Sequence, residues 1–315
     1  MHHYLNGFQN QRLAFLVSFS LISLSVSLAQ FGYGQWYFEM ALGANKSNDV
    51  TVESHSNDRA SICDEFINPR ALSIESCTTS LRGVGDGWMA PFEPGSGFSG
   101  EVTVGFHISE YRLAASYSHN VTDFEQTVSS TDATGADFDK LSNELAIGEE
   151  TLGFIVNEEF TILGYRDWYN GSGWTPFVGV GLGITRMRMD FSWVWARNSD
   201  PEAITTGEGQ PNVDEIRSNL AGTVSAGRRT LRGDPMIGYT VLAGIEREIS
   251  EMVSIGLKVQ WKQFDTFKSD WYTGDVLRSH EGNLRLDGSE PVSTWSNTPD
   301  TGRLSSAITM RVTFM

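Results

Sequence analysis

Long apolar runs, cysteine clusters and positive charge are all scarce in this chain, and each scarcity closes off a class of protein. Beyond residue 28 no segment approaches the roughly 20 consecutive apolar residues of a membrane-spanning helix. Any later membrane crossing therefore has to be made of strands, since a lipid interior offers the backbone no other partners. The two cysteines, Cys63 and Cys77, are too few for a disulfide framework, and no Cys-x-x-Cys pair or Cys/His cluster offers a zinc site. Lys and Arg number 23 against 39 Asp and Glu, a formal net charge of −16. That balance repels nucleic-acid phosphates, so no nucleic-acid partner is expected. It favours solubility, and it suits divalent cations or basic partners.

What is present points to strands. Hydrophobic residues make up 40% of the chain, too few for a helical membrane protein, while Gly numbers 32 and aromatics reach 11%. A transmembrane β-barrel has this middling composition because only every second strand residue faces lipid. At the N-terminus, Arg12 precedes an apolar, Ser-rich run over 13–28, and Ser27 and Ala29 place small residues at the −3 and −1 positions of a cleavage site. This reads as a signal peptide over 1–29, cut before Gln30, with a retained signal anchor as the rival. In the exported part thiols are oxidised, so Cys63 and Cys77, close together in a polar, turn-rich stretch, are expected to form a loop-closing disulfide.

The rest, 30–315, alternates ordered runs of period two with long polar stretches. In the first run Trp36, Phe38, Met40, Leu42 and Ala44 share one face, and Tyr37, Glu39, Ala41, Gly43 and Asn45 the other. The second sets Val102, Val104, Phe106 and Ile108 against Glu101, Thr103, Gly105 and His107. The third sets Tyr111, Leu113, Ala115 and Tyr117 against Arg112, Ala114, Ser116 and Ser118. The fourth, 151–165, aligns Leu152, Phe154 and Val156 before Glu158-Glu159 interrupts, which suggests a bulge or an early exit from lipid. The fifth, 176–190, alternates Val178, Val180, Leu182 and Ile184 with glycines. The sixth, from Pro235, carries Ile237, Tyr239, Val241, Ala243 and Ile245. In the seventh, Val253, Ile255, Leu257, Val259 and Trp261 alternate with Ser254, Gly256, Lys258 and Gln260. The eighth pairs Ile308, Met310, Val312 and Phe314 with Thr309, Arg311 and Thr313. Short links follow runs two, four and six. Long loops follow the others, at about 46–97, 121–150, 191–234 and 265–302. An all-β fold is expected: an eight-stranded antiparallel up-and-down transmembrane β-barrel, short turns on the periplasmic side and four long extracellular loops opposite. A soluble sandwich or lipocalin-like barrel is the alternative.

Three stretches resemble the small outer-membrane barrel superfamily that includes OmpA transmembrane domains, OmpX, OmpW and the opacity-type surface proteins. They are Tyr111–Ser118 (YRLAASYS), the segment 174–183 (WTPFVGVGLG, similar to that family's TPYVGAGLG), and the closing Ile308, Met310, Val312 and Phe314. The resemblance implies a location in the bacterial outer membrane, contact with its lipid and lipopolysaccharide, and a C-terminal signal read by the barrel assembly machinery. The family's terminal aromatic is usually the last residue, whereas here Met315 follows Phe314. Adhesins, structural tethers and small pores share this fold, so the resemblance speaks to fold and place more than to function.

Few residues point to chemistry. An eight-stranded barrel is just wide enough to be filled by its own side chains. The lumen-facing charges Glu39, Glu101, Arg112, Lys258 and Arg311 are therefore expected to pair into a plug rather than line a narrow ion path. Arg232-Gly233-Asp234 spells an adhesion tripeptide that arises often by chance. The acidic second loop (Asp132, Asp137, Asp139, Glu144, Glu149, Glu150) lacks EF-hand spacing and reads as solvated surface. No Ser-His-acid set assembles, so no catalytic residue, metal ligand or cofactor site is assigned. The expected role is a non-enzymatic surface barrel, structural or adhesive, whose long acidic loops meet a host or neighbouring surface. The alternative is a small porin-like channel for ions or small hydrophobic solutes.

Overall fold

The computed structural model describes residues 34–56, 68–70, 73–74, 87–132, 134–135, 144–269, 272–273, 293–299 and 301–314. The leader at 1–29 and the expected Cys63–Cys77 disulfide lie outside them. In chain order the strands are β1 (Gln35–Ser47), β2 (Val50–Ser56), β3 (Trp88–Phe92), β4 (Ser96–Ile108), β5 (Tyr111–Ser129), β6 (Thr131–Asp132), β7 (Leu145–Asp167) and β8 (Trp174–Arg197). Then follow β9 (Val224–Arg232), β10 (Met236–Glu248), β11 (Val253–Phe264), β12 (Phe267–Lys268), β13 (Tyr272–Thr273), β14 (Ser293–Thr298) and β15 (Arg303–Phe314).

Eight of these close a ring in the order β1-β4-β5-β7-β8-β10-β11-β15, every neighbour antiparallel, with β15 returning to β1 at Trp36↔Phe314. Closure leaves no unpaired strand edge, the condition for carrying a sheet through lipid. The alternation read from the sequence sets the two surfaces of the wall. On the outside stand Leu182, Ile237, Leu113 and Ile308, 69%, 65%, 63% and 63% exposed, within continuous rows such as Ile255, Leu257 and Val259. A belt of exposed aliphatics around the whole ring is incompatible with water and suited to a hydrocarbon layer. Aromatic side chains mark its borders: Trp36, Tyr111, Trp174 and Phe314 near one end, Phe98, Tyr117 and Trp261 toward the other.

Tight turns join the strands at the first end. Ser109 takes a positive φ of 56° in the β4–β5 turn. In the β7–β8 turn the Asn170 side chain accepts the Ser172 backbone N–H at 3.0 Å, and Gly171 supplies a φ of 71° that a side chain would resist. The opposite end differs from the expectation of four plain loops. β5, β7 and β8 run on for 19, 23 and 24 residues, well beyond the 12 or 13 of β1, β10, β11 and β15. Against this tall wall stands a second sheet, β12-β14-β2-β3-β6, drawn from the stretches read as loops one, two and four. An apolar core fills the space between, including Val52, Phe92, Phe124, Leu152, Met189, Phe191 and Phe267. The third stretch forms β9 and the short helix Val213–Leu220, whose Ile216 and Leu220 pack on Ile204.

The interruption in the fourth run is also resolved differently. The register shifts lie at Asp123/Gln126 and Leu152/Ile155, above the Glu158-Glu159 pair. Each bulge inserts an extra residue and inverts the facing beyond it. Leu152 therefore points into the cap core, while Phe154 and Val156 face outward. Glu158 and Glu159 keep perfect alternation, one out and one in.

An arginine in the middle of the apolar belt should cost about 2–4 kcal/mol. Leu182→Arg is expected to lower the barrel's unfolding free energy in phospholipid vesicles by that amount, whereas the same change at exposed Glu208 should leave it unaltered.

Candidate functional site

The interior of the ring is a filled column. The structure places Glu39, Glu101, Arg112, Lys258 and Arg311 inside it, all buried, and brings five further charges to them. Among the described residues the column holds five carboxylates (Glu39, Glu101, Glu159, Asp167, Glu246) and five cations (Arg112, Lys258, Lys262, Arg303, Arg311), all within ion-pair distance of an opposite charge.

At the short-turn end Arg112 on β5 donates to Asp167 at 2.7 Å and to Glu246 at 3.2 Å. Its guanidinium also lies 4.5 Å from the Tyr165 ring centre and 4.8 Å from that of Phe177, so aromatic rings as well as carboxylates surround the cation. Arg311 pairs with Glu246 at 2.7 Å. His107 and Tyr169 close this end, with His107 Nε2 2.7 Å from the Tyr169 hydroxyl and 3.4 Å from Asp167. In the middle Lys258 donates to Glu39 and Glu101, each at 2.7 Å, and Gln260 adds a 3.2 Å bond to Glu101. Above it Glu159 receives Lys262 at 2.7 Å, Ser118 at 2.8 Å and the guanidinium of Arg303. A neutral layer follows, in which Asn45 donates to Phe98 O at 2.7 Å and accepts from Thr122 at 2.7 Å, and Ser99 donates to Asn120 at 2.6 Å. The apolar core of the cap lies directly on this layer.

Four of the five added charges were legible to a simple rule. They continue the inward parity of a strand past the last apolar residue on its outward row: Lys262 beyond Lys258 and Gln260, Glu246 beyond Leu242 and Gly244, Arg303 before Ser305 and Ala307. Asp167 continues β7 in the same way, and ending each run where its apolar members stop is what hid these four. Glu159 stands inside the fourth run, between Val156 and Phe160, where the Glu158-Glu159 pair reads as an interruption.

The cap contains two acidic residues that the sequence assigned to solvated surface, and both are buried. Glu144 accepts from Arg197 at 3.1 Å, from the Thr205 and Thr206 backbone N–H groups at 3.1 and 2.9 Å, and from both threonine hydroxyls. One carboxylate thus ties the segment 198–223 to the top of β7 and β8. Glu150 sits at the roof of the apolar core, where the Trp88 indole donates to it at 2.5 Å. Burial lifts its carboxyl from 4.5 to about 8, with only the indole hydrogen bond opposing the shift. Asp137 and Asp139 lie outside the described residues. The Arg232-Gly233-Asp234 tripeptide is not at a loop tip. Arg232 ends β9, Gly233 bridges to Ser269, and a side chain at Gly233 would meet the Lys268 carbonyl at 2.1 Å. Of the assembly-signal positions, Ile308, Met310 and Phe314 face outward on β15 beside the matching row of β1. Among the described residues no three His, Cys, Asp or Glu side chains gather as a metal site.

A closed antiparallel ring, an apolar belt with aromatic borders and turns short on one side define an outer-membrane β-barrel, here with its lumen filled and a folded cap above it. No protein-family profile matches the chain, and no curated protein does. Among solved structures it is similar to Neisserial surface protein A, with 11% identity over 89% of this chain and 97% of that one and a TM-score of 0.34. It is also similar to the outer membrane protein OprG from Pseudomonas aeruginosa, at 10% identity over 90% and 98% of the two chains and a TM-score of 0.42. The outer membrane protease OmpT from Escherichia coli gives 9%, 89% and 97%, and 0.40. At such identities the fold of this chain stands on its own ring of strands.

Glu150 has a signed consequence. Below pH 4.5 its carboxyl is protonated whether the cap is folded or not. As pH rises from there to about 8, the unfolded carboxyl ionises while the buried one stays neutral, so the cap loses stability by up to about 1.4 kcal/mol per pH unit. Urea unfolding of the cap followed by tryptophan fluorescence should show that decline, and Glu150→Gln should flatten it and stabilise the cap at pH 8.

Proposed function

We propose that this chain is a non-enzymatic surface barrel of the bacterial outer membrane, exported by a cleaved leader, whose membrane ring is a rigid, non-conducting pedestal for its extracellular cap. The observation that carries this reading is the filled column. Five carboxylates neutralised by five cations, a polar layer and an apolar core occupy the lumen in series. Charges held this way are costly to separate, because opening a path strands one partner in a low-dielectric interior. The cap offers what a contact surface needs: two packed sheets and a stapled helical segment, outside the membrane. Its partner is a host or neighbouring surface, or the carbohydrate of lipopolysaccharide. The lumenal His107 supports structure rather than chemistry, since its side-chain partners are Tyr169 and Asp167 and among the described residues no serine hydroxyl is bonded to it.

Planar-bilayer recording of the full chain tests the pedestal. Featureless current is expected at 1 M salt. Discrete conductance steps would instead establish the small porin-like channel.

A further inference from the structure

In so acidic a protein, one outward face gathers arginines. Arg186 and Arg188 leave β8 just above the apolar belt, and Arg228 and Arg232 leave the adjoining β9. Arg188 and Arg232 are direct cross-strand partners. Like charges placed so close destabilise a sheet unless something neutralises them. Glu158 takes up part of the Arg188 charge at 3.1 Å, and Asp190 binds Arg228 at 2.9 Å. Arg186 stands directly opposite that same Glu158 across the β7–β8 pair without a hydrogen bond or ion pair to it, and Arg232 has no acidic hydrogen-bond or ion-pair partner among the described residues, so one carboxylate faces the three arginines Arg186, Arg188 and Arg232.

The height of this face identifies its ligand. Ile184 is the last apolar residue on the outer row of β8 before a polar and charged stretch of that row from Arg186 to Ser192, and it is paired with Ile237 on one side and Phe160 on the other, all three exposed. Arg186 follows two residues later and Arg188 two after that, a climb of about 7 and 13 Å along the strand, or about 5 and 10 Å of height at a barrel tilt of about 40°, within reach of a long arginine side chain bending toward the membrane. The headgroup layer adds about 5–8 Å on each side of the hydrocarbon. The cap marks this as the outer side, so the guanidinium groups stand at the phosphates of the outer leaflet with an acyl-chain surface directly below. Arginine matches phosphate oxygens with two parallel donors and needs no deep pocket.

We propose that the outer face formed by Arg186, Arg188 and Arg232, above Phe160, Ile184 and Ile237, binds the phosphate groups of a phosphorylated outer-leaflet glycolipid of the lipid A type. The phosphates neutralise the Arg188–Arg232 pair and the acyl chains lie on the apolar row. This site is on the side of the barrel. It rests on the membrane placement alone and is independent of what the cap binds.

Native mass spectrometry of the full chain in detergent, titrated with bis-phosphorylated lipid A, tests it. The intact protein should retain the lipid, and the double variant R186Q/R232Q should bind it about tenfold more weakly, as expected for losing charge-assisted bonds. Dephosphorylated lipid A should bind the intact protein no better than the variant binds the phosphorylated form. Inorganic phosphate at millimolar concentration should displace little, which separates a lipid site from a free-anion site. Glu158→Gln removes the one competing carboxylate on Arg188 and should tighten binding, so a failure of the double variant to fold leaves a decisive measurement. Equal binding by R186Q/R232Q, undiminished binding of dephosphorylated lipid, an equal loss in Lys46→Gln on another part of the rim, or no change in Glu158→Gln would each overturn the proposal. None of these results bears on conductance or on the cap's partner.

Discussion

A charge inside a narrow barrel surrounded by lipid has little water to turn to, and the arrangement of this molecule follows from having to pair it. The column answers with equal numbers of carboxylates and cations drawn from seven of the eight ring strands, so that nearly every strand is tied to others through the lumen as well as through its backbone ladder. Lys258 on β11 bridges Glu39 on β1 and Glu101 on β4, and Glu159 on β7 reaches Arg303 on β15 across the lumen. Such pairs add less net stability than their short distances suggest, because desolvation offsets most of the attraction. Their stronger effect is on alternatives: any slip of one strand by a single residue turns its charged row into lipid.

The same constraint explains why the lumen changes character along its length. Within the belt the column is charged and polar around one small buried cluster that includes Tyr37, Leu163, Tyr165, Phe177 and Leu242. Beyond it, where the wall stands in water and a second sheet folds over, the filling becomes apolar, as in an ordinary sandwich core. Glu144 shows how the cap handles a buried carboxylate when donors surround it, and Glu150 how it does so with one indole alone. The first stays fully satisfied; the second is kept neutral by its surroundings.

The ring was legible because two periodic rows, lipid-facing and inward, repeat over every crossing: Val253 to Trp261 opposite Ser254 to Gln260 is the clearest case. The inward row outlasts the apolar one, since the lumen does not end where the lipid does, and that is why Lys262, Glu246 and Arg303 escaped a reading anchored on hydrophobicity. The cap was hidden for other reasons. β3 and β2 have only 5 and 7 residues, and partners such as Ser54 and Ser296 meet across 242 positions of chain. One bulge, between Leu152 and Ile155, reverses the facing of β7 midway, so Leu152 and Phe154 share a parity in sequence and oppose each other in space.

The dependence of the fold on paired lumenal charge is tested most directly by a double-mutant cycle on Glu101 and Lys258, read from urea unfolding in phospholipid vesicles. Removing Lys258 as Lys258→Met strands two carboxylates, and Glu101→Gln relieves one of them. A favourable coupling of about 1–3 kcal/mol between the two substitutions is the expected result. Effects that add to within about 0.5 kcal/mol would contradict it, and would mean that the column fills the barrel without holding it together.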